Sequence, residues 1–216
     1  MKQMKRAVIF DFDGTIADSF EYVYGFLKQE AHNTREYSAQ QQHDLRRMSM
    51  RRLALHLGVP VWRMPYTYIR GRRIMRAHME HVKIFPGMAK VITQLHRDGV
   101  QLFIASSNSK RNLHHSLKHY GLSQYFTAVV GGAGFTGKRS AIRRLLVRYR
   151  LPKVTTWYVG DEMSDVVAAT AAGIPCLAVT WGFADPEKMR MLEPSAIADH
   201  ANDIPKILEN AWKKYS

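Results

Sequence analysis

A series of short apolar runs, each stopped abruptly by polar or glycine residues, sets the fold this chain can adopt. Runs at 7–12, 100–105, 127–130, 154–159 and 174–180 are rich in Val, Ile and aromatics, and that length and composition read as strands buried on both faces. A weaker sixth run covers 195–198. Helical patterns lie between them. Met88, Val91, Ile92 and Leu95 stand at i, i+3, i+4 and i+7, as do Ile142, Leu145, Leu146 and Tyr149, a spacing that makes one apolar stripe on a helix. Gly99 and Gly121 stand where helices over 88–98 and 109–120 would stop. Strand and helix alternate from Phe85 onward, which predicts an α/β fold with a doubly wound parallel sheet covered on both faces.

Residues 16–84 break this rhythm. They hold no strand-like run and are helical by pattern: Met50, Leu53, Ala54 and Leu57 form one stripe, stopped by Gly58 with Pro60 just beyond. The expected organisation is a core of residues 1–15 and 85–216, with an all-helical segment, 16–84, inserted after the first strand. Linkers are expected near 15–17 and 84–87. A chain of 216 residues with 46% hydrophobic residues is long and apolar enough to bury a sizeable core.

The formal charge is +14, from 32 Lys and Arg against 18 Asp and Glu. Clustered cations would suit a phosphate backbone, but here the excess is spread along the chain, with no aromatic-interleaved basic stripe to stack bases. Nucleic acid is therefore not the expected partner, and steering of small anions is the expected use of the charge. The single cysteine, Cys176, suits a reducing compartment. The apolar run 7–10 is too short for a signal-peptide core, and no stretch approaches ~18 uninterrupted apolar residues. A cytoplasmic protein without a membrane span is expected. The ten His show no metal spacing with the cysteine.

The strongest chemical signal is Asp11-Phe12-Asp13-Gly14-Thr15, directly after the first apolar run. Alternation points Asp11 and Asp13 to the same side, and two carboxylates held so close require a shared proton or a divalent cation. Asp13-Gly14 alone would be an ordinary turn. Asp11 is different, because a carboxylate ending a buried strand is costly without a partner. Such strand ends are where open parallel sheets bind ligands.

Three further groups follow. Ser106-Ser107-Asn108 ends the run 100–105, either as a plain helix N-cap or as a holder of phosphoryl oxygens. Lys138 opens a helix after a glycine-rich stretch, against the dipole, which calls for an anionic partner. Asp161 ends another buried run, and Asp165 lies in the following first turn, with Ser164 the expected cap. Asp11, the carbonyl of Asp13 and Asp161 together offer hard oxygen ligands that match magnesium.

Asp11-Phe12-Asp13-Gly14-Thr15-Ile16-Ala17-Asp18-Ser19, with Ser106, Lys138 and Asp161 in the same order along the chain, resembles the haloacid dehalogenase-like hydrolases, especially members like phosphoglycolate phosphatase. The resemblance spans nearly the whole chain and implies a Rossmann-like sheet with a helical cap. It implies Asp11 as nucleophile and Asp13 as proton donor, then base. It implies Ser106 as phosphate-binding hydroxyl and Lys138 as neutralising cation. Magnesium would sit on Asp11, Asp13 and Asp161, with Asp165, Ser107 and Asn108 in support. The implied activity is hydrolysis of a small phosphorylated metabolite, phosphoglycolate-like or a sugar phosphate. Asp13 argues against the dehalogenases and phosphonatases of the superfamily and leaves a phosphomutase as the alternative. Arg46 and Arg47 in the cap are the expected contacts to a second anionic group. A phosphate loop at Gly132-x4-Gly137-Lys138 competes, but Arg139 stands where that motif needs Ser or Thr. A non-catalytic nucleic-acid-binding relative is the remaining alternative.

Overall fold

The computed structural model describes residues 4–133 and 137–215 and, for Ala77, the backbone alone. Residues 134–136 of the glycine-rich stretch thus lie outside the described residues. Six strands form one parallel sheet: β1 (Ala7–Phe10), β4 (Gln101–Ala105), β5 (Phe126–Val130), β6 (Thr156–Gly160), β7 (Cys176–Val179) and β8 (Ala196–Ala198). Their order is β5-β4-β1-β6-β7-β8, and all neighbours are parallel. Every expected run is a strand, with ends within two residues of those expected. The order reverses around β1, which lies between β4 and β6, so the carboxyl end of β1 opens where such sheets bind ligands.

Strand alternation sorts side chains to two cores. Val8, Phe10, Leu102, Ile104, Val159 and Leu177 meet α5 (Met88–Arg97), α6 (Lys110–His119) and α9 (Ile204–Trp212) on one face. Ile9, Phe103, Ala105, Tyr158, Cys176 and Ala178 meet α7 (Lys138–Arg148) and α8 (Met163–Ala172) on the other. β5 departs from the expectation of burial on both faces: it is an edge strand, and none of its residues is fully buried.

Helices α1 (Phe20–Glu30), α2 (Ala39–Arg46), α3 (Met50–Leu57) and α4 (Met64–His78) fill the segment between β2 (Ala17–Asp18) and β3 (Lys83–Ile84). They enclose a third core of Phe20, Phe26, Leu27, Leu45, Leu53 and Leu57. Gly58 ends α3 in the left-handed conformation at φ +105°, where glycine carries no Cβ penalty. The strands β2 and β3 correct the expectation of a segment without strands. They pair antiparallel, Ala17 with Ile84 and Asp18 with Lys83, and two residues are too few to leave a period in the sequence. The ribbon fastens the entry of the helical segment to its exit. No described helix is long and apolar enough to cross a membrane.

Candidate active site

β1 delivers Asp11 to the carboxyl end of the sheet. Its backbone N–H continues the strand ladder, donating to Val159 O at 2.8 Å, so the side chain is set by the sheet itself. Asp11 is 3% exposed, and its Oδ1 accepts from Phe12 N at 2.7 Å. The chain then turns at Gly14, with φ +79°. A Cβ there would overlap the Asp161 carboxylate, so glycine is needed for the close approach as well as for the turn.

Asp161, fully buried, follows β6 directly. Its Oδ1 accepts from Thr15 Oγ1 at 2.8 Å and its Oδ2 from Phe183 N at 2.8 Å. Trp181 braces the same turn by donating from Nε1 to Thr15 O at 3.1 Å. Asp165 lies in the first turn of α8 and accepts from Glu162 N at 3.0 Å. The cap of that helix is Glu162, not Ser164 as expected. Ser164 is already inside the helix, and its hydroxyl donates to Glu162 Oε2 at 3.0 Å. Lys138 is the first residue of α7, and its Nζ donates to Asp11 Oδ2 and, at 2.5 Å, to Asp165 Oδ1.

Burial and mutual repulsion govern the charges. Burial pushes Asp161 well above the carboxylate range, and the Asp165 and Asp11 charges add to it. Burial raises Asp165 to about 7, although Lys138 pulls the other way. Burial also opposes the Lys138 ammonium, but Asp11 and Asp165 outweigh it and hold the lysine well above its ordinary range. One carboxylate oxygen each from Asp11, Asp161 and Asp165 lies within 4.8 Å of the others. Three buried carboxylates around one ammonium leave negative charge uncompensated. A hard divalent cation with oxygen ligands would cancel it, so the donor set fits magnesium. The carboxylate cluster includes Asp165, which was expected only in support, while Asp13 was expected to contribute its carbonyl and not its carboxylate.

The Asp13 carboxylate turns elsewhere. Its Oδ2 accepts from Asn108 Nδ2 at 3.0 Å, while Oδ1 is buried without a hydrogen-bond partner. Burial, then the Asp11 charge, raises its pKa to about 6, and the nearby Ser19 hydroxyl and then the Asn108 donor partly offset this. Asn108 is itself fixed, because its Oδ1 accepts from Ser109 N at 2.7 Å and Asn112 Nδ2 at 3.0 Å. Ser109, not the triplet before it, caps α6 by accepting from Asn112 N. That frees Ser106-Ser107-Asn108 from the plain capping role. Ser106 is fully buried, with its hydroxyl accepting from Asn108 N at 3.2 Å.

A cavity of 520 Å³ lies over these groups. Asp11, Asp13, Ser107, Asn108 and Lys138 line one end, and α1, α3 and α4, with Ser49, Glu162, Ser164 and Phe183, supply the rest. Arg46 and Arg47 are not among its lining residues. Arg46 pairs with Asp18 at 2.9 Å and Glu21 at 3.7 Å and lies over the Phe20 ring, while Arg47 is exposed. Arg51 and Arg72, from the same helical segment of residues 16–84, line the cavity instead. The sequence favoured Arg46 and Arg47 among the cap arginines over Arg51 and Arg72, and it gave no role to Thr15 or to Tyr68, whose hydroxyl donates to Ser107 O. The i, i+4 pair Tyr68 and Arg72 was the available signal for a second working face on α4.

Comparison with known proteins gives the arrangement a family. A model of the haloacid dehalogenase-like hydrolases matches residues 8–179, a span that contains Asp11, Ser106, Lys138 and Asp161. A phosphoglycolate phosphatase from Synechococcus elongatus is 32% identical over 206 residues, covering 92% of this chain and 95% of that protein. Another from Pseudomonas fluorescens is 24% identical over 223 residues, covering 97% and 82%. A haloacid dehalogenase-like family hydrolase from Streptococcus pneumoniae shares the fold with a TM-score of 0.79 at 18% identity, over 94% of this chain and 98% of that one. This chain belongs to the haloacid dehalogenase-like hydrolases, in the subgroup similar to the phosphoglycolate phosphatases.

Proposed function

We propose that the protein is a magnesium-dependent phosphatase that hydrolyses a small phosphate monoester through an aspartyl-phosphate on Asp11. The observation that carries this reading is Asp11 at a strand end, ion-paired with Lys138, with the unpartnered Oδ1 of Asp13 at the same end of the cavity. The names of the Synechococcus and Pseudomonas relatives support the phosphatase class.

Phosphoryl transfer asks a protein mainly to position groups and neutralise charge. The Asp11 carboxylate attacks phosphorus and the bond to the ester oxygen breaks. That oxygen takes the proton held by Asp13. Asp13, now ionised, removes a proton from the water that attacks the aspartyl-phosphate, which releases phosphate and restores Asp11. Lys138 offsets the charge of the nucleophile and the transferring group, and the Ser106–Asn108 turn receives the phosphoryl oxygens. Asp11, Asp161 and the Asp13 carbonyl would hold magnesium, with Asp165 behind them, and the bound ion would offset phosphoryl charge. Residues 16–84 act as a cap over the core of 1–15 and 85–216 and keep bulk water from the intermediate. A phosphate loop at Lys138 would leave Asp11 and Asp13 without a role.

The test is hydrolysis of 4-nitrophenyl phosphate by protein stripped with EDTA and reloaded with magnesium. Turnover should need the metal and vanish in Asp11→Asn. Metal-independent turnover, or full activity in Asp11→Asn, contradicts the reading.

A further inference from the structure

The cavity over Asp11 is larger and more apolar than a two-carbon phospho-acid requires. At 520 Å³ it falls in the ~300–1,000 Å³ range of pockets that hold drug-sized ligands. Beyond the catalytic end its wall includes Val23, Phe26 and Leu27 of α1, Ala54 of α3 and Met64 of α4. This part of the wall suits an apolar body, while the cations that line the cavity, Arg51 and Arg72, lie outside this apolar set.

α4 lines this space with two rows at helical spacing. Tyr68 and Arg72 face the sheet domain, where the Tyr68 hydroxyl reaches Ser107 O and Arg72 O accepts from Asn112 Nδ2 at 2.9 Å. Met64, Thr67 and Gly71 form the other row, toward α1, where a Cβ on Gly71 would come within 2.8 Å of the Phe26 ring. Thr67 is 4% exposed, lines the cavity, and its Oγ1 has no hydrogen-bond partner. A helical threonine can give its proton to the carbonyl four residues back; this one does not. An unmet buried hydroxyl is unfavourable until something supplies an acceptor.

We propose that the substrate of this enzyme is the phosphate ester of a bulky apolar alcohol, of aryl type, that carries a hydrogen-bond acceptor at its far end. The phosphoryl group sits at Asp11, the ring lies against Phe26, Leu27 and Ala54, and the acceptor meets Thr67 Oγ1. The guanidinium of Arg72, already over the Tyr68 ring at 5.5 Å, and that of Arg51 suit the face of an aromatic occupant, since arginine stacks on aromatic faces. The proposal deepens the phosphatase reading and rests on it.

The test compares magnesium-loaded enzyme on 2-phosphoglycolate, benzyl phosphate and 4-acetylbenzyl phosphate, all with alkoxide leaving groups. The expected kcat/KM for 4-acetylbenzyl phosphate exceeds that for phosphoglycolate by about tenfold or more, a discrimination apolar pockets commonly reach. Thr67→Val, which keeps shape and removes the hydroxyl, should cut the advantage of the acetylbenzyl over the benzyl ester by about fivefold or more, and Thr67→Ser should retain it. Ala54→Phe, which fills the apolar end, should reverse the preference for benzyl esters over phosphoglycolate. A wild-type preference for phosphoglycolate, or an acetylbenzyl-to-benzyl ratio unmoved by Thr67→Val, overturns the proposal and leaves the phosphatase reading intact. No hydrolysis of any of the three esters or of 4-nitrophenyl phosphate overturns both.

Discussion

At the scale of single residues the site works by controlling where protons and charges can rest. Asp13 has one oxygen tied to Asn108 and one without a partner. This is the arrangement a proton carrier needs: one oxygen for orientation and one for exchange. Its pKa, raised to about 6 by burial and the Asp11 charge, keeps part of the population protonated at pH 6–7. The attack step needs that proton, so kcat/KM should fall as pH rises past the Asp13 pKa. Asn108 holds the pKa down, so Asn108→Ala should move this alkaline limb to higher pH and lower kcat. A limb that stays in place would separate Asp13 from the proton transfer. Asp13→Asn should cost ~10²–10⁴ in kcat, the usual worth of acid–base help. None of the Asn108 geometry was legible beforehand, because its bond to Asp13 joins residues 95 apart. Asp11, Asp161 and Lys138 were legible, since a charge at the end of a buried run or at the wrong end of a helix needs a reason.

At the scale of elements, the sheet could be read from sequence and the orientation of the inserted helices could not. Buried parallel strands write continuous apolar runs, and all six were identifiable. A helical stripe such as Leu53, Ala54 and Leu57 shows which face is buried, but not what it is buried against. Arg46 shows the consequence. It was the expected substrate contact, yet its guanidinium fastens α2 to Asp18 of the β2–β3 ribbon and to Phe20 and Glu21 of α1. At 29% side-chain exposure, beside a carboxylate of 32%, the pair is worth at most ~1 kcal/mol by comparison with exposed ion pairs. Arg46→Ala should therefore lower the melting midpoint slightly and leave KM unchanged, whereas Arg72→Ala should raise KM. A large KM effect of Arg46→Ala alone would make Arg46 a substrate contact.

At the scale of the whole molecule, the active site is a place where the fold is under electrostatic load. In the metal-free protein burial raises Asp13 to about 6 and Asp165 to about 7, from an ordinary carboxylate value of 3.8, and holds Asp161 well above that range as well. Between roughly pH 4 and pH 7 the native state therefore binds protons that the unfolded chain does not, and stability contributed by these groups falls as pH rises through that window. Magnesium at this site would bind the ionised form, so the stabilisation it supplies should grow with pH. Thermal melts should show a larger magnesium-induced shift at pH 8 than at pH 5. An equal shift at both would mean that the acidic cluster does not hold the ion.

The nucleophilic role proposed for Asp11 is open to direct chemical trapping. Hydroxylamine added during steady turnover of 4-nitrophenyl phosphate attacks an acyl phosphate at its carbonyl carbon and leaves an aspartyl hydroxamate, which peptide mass spectrometry locates. The modification should appear at Asp11, require both substrate and magnesium, and be absent from Asp11→Asn. Turnover with Asp11 unmodified, or with the hydroxamate on another carboxylate, would contradict the account.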